Sequence, residues 1–183
     1  IRYYFQENSA IQSTFIYLAI YLFANLGAFA CIIAIARRVK SEEISKYSGL
    51  GQREPFLAVT LSIFLFSLAG VPPTAGWFAK FVMFKSVLEH NSVLSVSLAI
   101  VAAFVSVLAF AYYAGVIKTM WLDEPAEIEI TEEAKSSGDL LVEKRTSVIV
   151  TPALRVAILI CASVTIFLGI YPGAISKIGE MIV

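Results

Sequence analysis

Four stretches of this chain, residues 8–36, 55–79, 91–117 and 156–176, contain no Asp, Glu, Lys or Arg. Each reaches the roughly 20 apolar residues that a helix needs to cross a bilayer. Within each, the apolar residues keep to no single stripe, as expected of helices that are apolar all round. In hydrocarbon every backbone N–H and C=O needs an internal partner, and a helix is the only open-ended way to supply one. The chain is therefore expected to be an all-α membrane protein, a single membrane domain of about four transmembrane helices at 13–36, 55–89, 92–121 and 153–173. Composition agrees: 58% of the 183 residues are hydrophobic and 15% are charged, where a soluble domain carries about 25%. That excludes a soluble globular domain, a disordered tail and a disulfide-rich module. Fourteen basic residues balance fourteen acidic ones, so there is no basic footprint of a nucleic-acid binder.

The connections are polar. Residues 37–54 read RRVKSEEISKYSGLGQRE, and 122–152 form a longer loop, acidic in its first half. Ile128 and Ile130 carry a weak alternating signal for a short strand. Lys and Arg set the orientation. One face carries Arg37, Arg38, Lys40, Lys46, Arg53, Lys118, Lys135, Lys144, Arg145 and Arg155; the other carries only Arg2, Lys85 and Lys177. Ten cations against three place 37–54 and 122–152 on the cytoplasmic side, or its organellar equivalent, and the C-terminus opposite. The start lacks the pattern of a secretory signal. It begins with Ile1 rather than Met, as expected of a piece of something longer. Cys31 and Cys161 fall inside apolar runs and read as buried small hydrophobes, not metal ligands. His90, the sole histidine, reads as a solvated loop residue.

The second span is too long and is interrupted. From Pro55 to Glu89 a straight helix would measure roughly 50 Å at 1.5 Å per residue, against a hydrocarbon core of about 30 Å. Its middle reads Gly70-Val71-Pro72-Pro73-Thr74-Ala75-Gly76. Two prolines remove two donors and clash with the preceding turn, and the residue before each leaves the helical region. Two half-helices are expected, at about 55–69 and 74–89, around a break marked by Gly70, Pro72, Pro73 and Gly76. Irregular backbone at that depth is tolerated where protein or a wet cavity surrounds it, and broken helices are typical of transporter ion sites. The alternative is two short interfacial or re-entrant helices.

Lys80 follows the break among Trp77, Phe78, Ala79, Phe81, Val82 and Met83. A lysine there is expensive and must face a partner or water. Desolvation disfavours its charged form, so it is a candidate to gain and lose a proton, which arginine cannot do. Snorkelling is the bland alternative. The polar exit at Glu89 lies nine residues on, more than about 13 Å along a helix and beyond easy reach. Lys85 is one turn nearer that exit and reads first as a snorkelling residue. Asn25, Thr60, Ser62 and Ser67 either line a hydrated path or bond neighbouring backbone. Tyr112, Tyr113 and Trp121 form an interfacial belt, with Lys118 either snorkelling or marking the entrance to a proton path. No metal, nucleophile or nucleotide motif is present.

The block LFSLAGVPPTAGWFAKF at 65–81 resembles the broken helix of the antiporter-like, proton-translocating subunits of respiratory complex I. The run from IYLAIYLFANLGAFACIIAIARR to that block looks like subunit N of NADH–quinone oxidoreductase, as do YYAGVIKTMW at 112–121 and FLGIYPG at 167–173. The resemblance implies a subunit of about fourteen helices, with this chain as its last four and Lys80 as the family's lysine on the broken helix. It implies a membrane subunit of a proton-translocating NADH:quinone oxidoreductase in the bacterial inner membrane or its organellar equivalent. Lys80 would be the proton relay, and Lys85, Lys118, Asn25, Thr60, Ser67 and Tyr112 possible parts of its path. It implies no cofactor on this chain, with NADH, flavin, iron–sulfur clusters and quinone in partner subunits. The implied partners are other membrane-arm subunits and the lipid bilayer, not nucleic acid. Two rivals stay open: a subunit of a multisubunit sodium/proton antiporter or membrane-bound hydrogenase, and a purely structural membrane segment in which Lys80 pairs with an acidic neighbour.

Overall fold

The computed structural model describes residues 2–39, 41–89, 92–124 and 151–173, with side chains from Ile11 onward. Most of the 122–152 loop, including Ile128 and Ile130, lies outside the described residues, as do Lys40, His90 and the C-terminus after Gly173. The described part is helical, with no strand among the described residues. Helix α1 spans Arg2–Val39 and is followed by a 3-10 turn, Ile44–Tyr47. Helices α2 (Leu50–Arg53), α3 (Pro55–Ala69), α4 (Ala75–Glu89), α5 (Val93–Trp121) and α6 (Pro152–Ile170) follow.

Local chemistry sets these bounds. Pro55 and Pro152 stand at the first helical positions of α3 and α6, where a missing N–H leaves nothing unpaired. Ser92 caps α5, its hydroxyl accepting from the Ser95 N–H at 3.1 Å. Helix α1 begins eleven residues before the expected span, because no proline or glycine interrupts 2–26. Three helical segments are long and apolar enough to cross a membrane: Ile11–Val39, Val93–Trp121 and Pro152–Ile170. Helix α3 is apolar, but its 15 residues reach only about 22 Å.

Helix α1 packs against α3, α4 and α6, while α5 packs mainly on α3. The larger core joins Cys31 and Ile35 of α1, Leu61 and Phe64 of α3, Met120 of α5 and Ile158 of α6. A smaller one sets Ala75 and Ala79 of α4 against Ile16 and Ile20 of α1. The break in the α3–α4 unit lies between the two. At Gly27 a Cβ would collide with the Phe64 ring, so this glycine lets α1 and α3 approach.

The 37–54 connection, read from sequence as a polar loop, is folded onto the helix ends. Arg38 pairs with Glu54, and Tyr47 and Leu50 are buried. Gly51 sits under the Trp121 ring, which a Cβ would meet at 2.5 Å. The Trp121 indole N–H in turn donates to Ser62 Oγ at 3.0 Å. The Arg155 guanidinium lies 4.7 Å over the Phe56 ring, a cation–π contact. Four helix ends are thus tied at one side of the bundle.

Candidate functional site

The break between α3 and α4 is built from a network of backbone hydrogen bonds. A helix leaves its last four carbonyls without intrahelical donors. Gly70 takes the left-handed conformation, φ 86°, which glycine adopts without strain. Its N–H donates to the carbonyls of Phe66 and Ser67, both at 3.0 Å, and the Val71 N–H donates to Phe66 at 2.9 Å. This is a Schellman end with prolines just beyond it, the usual way to stop a helix firmly. It leaves the carbonyls of Leu68 and Ala69. Both are taken by Lys80: Nζ donates to Leu68 O at 3.0 Å and to Ala69 O at 2.9 Å. Beyond them, Val71 O accepts from the N–H and the hydroxyl of Thr74, at 3.1 and 2.7 Å.

The second half-helix is capped from the first. The Gly76 N–H, in the first turn of α4, donates to Ser67 Oγ at 3.1 Å. The two turns lie so close that a Cβ at Gly76 would fall on the Ser67 carbonyl. Gly70 gives space as well as conformation: a Cβ there would stand 2.9 Å from Lys80 Cδ. Helix α6 closes the break from another side, since a Cβ at Gly169 would strike the Pro73 carbonyl and the backbone of Thr74 and Ala75. Pro72 and Pro73 are joined by a cis peptide bond.

The electrostatics of the site follow from this geometry. The C-terminal end of a helix carries a partial negative charge of roughly half an electron. An ammonium against the last carbonyls of α3 is favoured by that field.

The site brings together Lys80, Ser67, Gly70, Pro72, Pro73 and Gly76. The other sequence candidates lie elsewhere. Thr60 is buried, donates to its own helix at Phe56 O (2.8 Å) and lies 3.4 Å from Cys31 Sγ. Asn25 donates to Tyr21 O one turn back, at 2.8 Å. Lys85 is exposed and stands 3.9 Å from Glu89. Lys118 and Tyr112 are exposed on α5, where Tyr112 meets Tyr113 edge-on at 5.7 Å between centroids. The Lys80 partners escaped the sequence reading, although the Gly-Val-Pro-Pro run carries the signature of a capped helix end. Nothing local marked Ser67 as the cap of α4.

Apolar helices around a discontinuous one define an integral membrane protein. More particularly, the chain belongs to the NADH:quinone oxidoreductase/Mrp antiporter transmembrane family, whose model matches residues 1–106. It is 37% identical over 170 residues to NAD(P)H-quinone oxidoreductase subunit 2 of Prochlorococcus marinus, covering 93% of this chain and 32% of that protein. The chain thus spans about a third of the length of this relative. Two solved structures share the fold. A chain of respiratory complex I from Thermus thermophilus with bound aureothin gives a TM-score of 0.63 at 19% identity, covering 92% of this chain and 36% of that one. A chain of the Mrp complex from a Dietzia species gives 0.69 at 22% identity, with the same coverage.

Proposed function

We propose that this chain works as part of a proton-translocating membrane subunit of NADH:quinone oxidoreductase, with Lys80 as its proton-bearing group. The observation that carries the reading is the seat of Lys80 Nζ on the two carbonyls left open where α3 ends. An ammonium has three N–H donors. Two are engaged here, and the third is the proton available for exchange. The neutral amine keeps two N–H groups and gains a lone pair, so both carbonyl bonds survive proton loss. Lys80 can then change charge without unmaking the break.

In this reading, electron transfer from NADH to quinone in partner subunits drives changes of charge and hydration that load and unload Lys80. Lys85 and Lys118 are the cations through which a path would continue toward the two membrane faces. The helices cross the membrane with 37–54 on the cytoplasmic or equivalent side and the C-terminus opposite, as the distribution of Lys and Arg favours. The family description also admits an Mrp-type antiporter subunit; the name of the curated relative supports the quinone-reductase reading.

Lys80→Met in the intact enzyme, reconstituted in vesicles, tests the assignment. The expected result is at least about a tenfold loss of protons moved per NADH oxidised, because no group remains to carry the charge. Lys80→Arg, held permanently protonated, is expected to lose pumping as well. Normal pumping by Lys80→Met with a reduced yield of assembled enzyme would show a purely structural lysine instead.

A further inference from the structure

Ser67 occupies a second position in the break, distinct from the proton-bearing one. Its side chain is only 1% exposed. Its hydroxyl holds the Gly76 N–H at 3.1 Å, and its carbonyl accepts from the Gly70 N–H at 3.0 Å. One residue therefore ties the last turn of α3 to the first turn of α4. Lys80 stands four residues after Gly76, on the same face of α4 one turn further along. Ala75 and Ala79 also pack this turn on α1, and Gly169 of α6 abuts its start, but the Ser67 bond is the side-chain cap that joins it to the end of α3. The aim of Lys80 Nζ at Leu68 O and Ala69 O thus depends on how firmly the first turn of α4 is held.

We propose that Ser67 is a positioning residue for Lys80. By accepting from the Gly76 N–H it fixes the first turn of α4 on the end of α3, and so keeps Nζ against the two carbonyls in both charge states. This rests on the reading of Lys80 as the proton-bearing group. The two halves cap each other: Ser67 of α3 serves the N-terminus of α4, and Lys80 of α4 serves the C-terminus of α3. The exchange fixes the donors and acceptors on both sides, with no acid in ion-pair contact with Lys80 among the described residues. Loss of the Ser67 hydroxyl leaves the Lys80 amine in place but loosens its hold on the carbonyls. Those carbonyls favour the charged form, so a looser hold favours release of the proton.

The test is the pH profile of proton pumping by the intact reconstituted enzyme, normalised to the amount assembled. In Ser67→Ala the profile is expected to move toward acid by about one pH unit, the size appropriate to weakening one charge-assisted hydrogen bond. Ser67→Cys, with a weaker acceptor of similar size, is expected to give a smaller shift in the same direction. Profiles superimposable on the wild type overturn the proposal. So does loss of assembly in both variants, since that outcome marks Ser67 as a folding residue only. Lys80→Met measured in parallel separates the two ideas. If it pumps normally, the proton-bearing assignment has failed. If it is inactive while Ser67→Ala keeps the wild-type profile, only the positioning role has failed.

Discussion

Helices α3 and α4 are both fifteen residues long and flank the same break, yet they are held very differently. Nine residues of α3 are buried within this chain, including Leu57, Leu61 and Phe64. Only three of α4 are, Ala75, Ala79 and Ser86. The first half-helix is a post set among α1, α5 and α6. The second, which carries Lys80, packs its first turns on α1 and α6 through Ala75 and Ala79, is tied to α3 at the break, and is otherwise less buried. Lys80 thus sits on the less embedded half, while its hydrogen-bond acceptors, Leu68 O and Ala69 O, sit on the more buried half. The rigid part defines where the lysine must be, and the caps keep it there.

The sharpest way to break this contrast is at Phe64, which is fully buried. Phe64→Ala is expected to cost about 3 kcal/mol or more, read as a lower unfolding temperature of the solubilised complex and a lower yield. A cost well under that would mean that α3 is no better anchored than α4. Next in size is Gly76→Ala. Its added methyl falls on the Ser67 carbonyl, and relieving such an overlap costs about 1–3 kcal/mol. Pumping per NADH oxidised is expected to drop more than the thermal midpoint suggests, because the displaced turn carries Lys80 with it; equal losses in both would argue against that link. The smallest effect is expected from Lys85→Gln, which removes one member of an exposed pair at 3.9 Å. Exposed pairs contribute little to stability, so its unfolding midpoint should match the wild type. A clear fall would show that the outer end of α4 is more firmly held than its burial implies.

Much of this was legible in the residues, and the reasons are physical. Two adjacent prolines after a glycine force a helix to stop wherever they occur, so α3 and α4 could be bounded to within a residue. A lysine among Trp77, Phe78 and Phe81 has to be matched by something, which made Lys80 stand out. The matching group was hidden because it is backbone: carbonyls have no letter in a sequence, and their availability depends on how the preceding helix ends. The unequal burial of α3 and α4 was hidden too. Helices that are apolar all round show no stripe, so the pattern does not say which face meets protein and which meets lipid. The tie between Trp121 and Ser62, 59 positions apart in sequence, and the pairing of Arg38 with Glu54 depend on tertiary approach alone. The 37–54 connection read as polar loop for the same reason: the burial of Tyr47 and Leu50 becomes visible only once α1, α3 and α5 are assembled.

Gly169 has a mechanical consequence. Side chains usually cushion one helix against another, because rotamers can shift by an ångström at small cost. At Gly169 the main chain of α6 rests directly on the main chain of Pro73, Thr74 and Ala75, and there is no rotamer to take up slack. A rigid tilt of α6 at that point has to carry the start of α4 with it. The last described helix therefore bears directly on the segment that leads to Lys80, even though it contributes no charged group to the break.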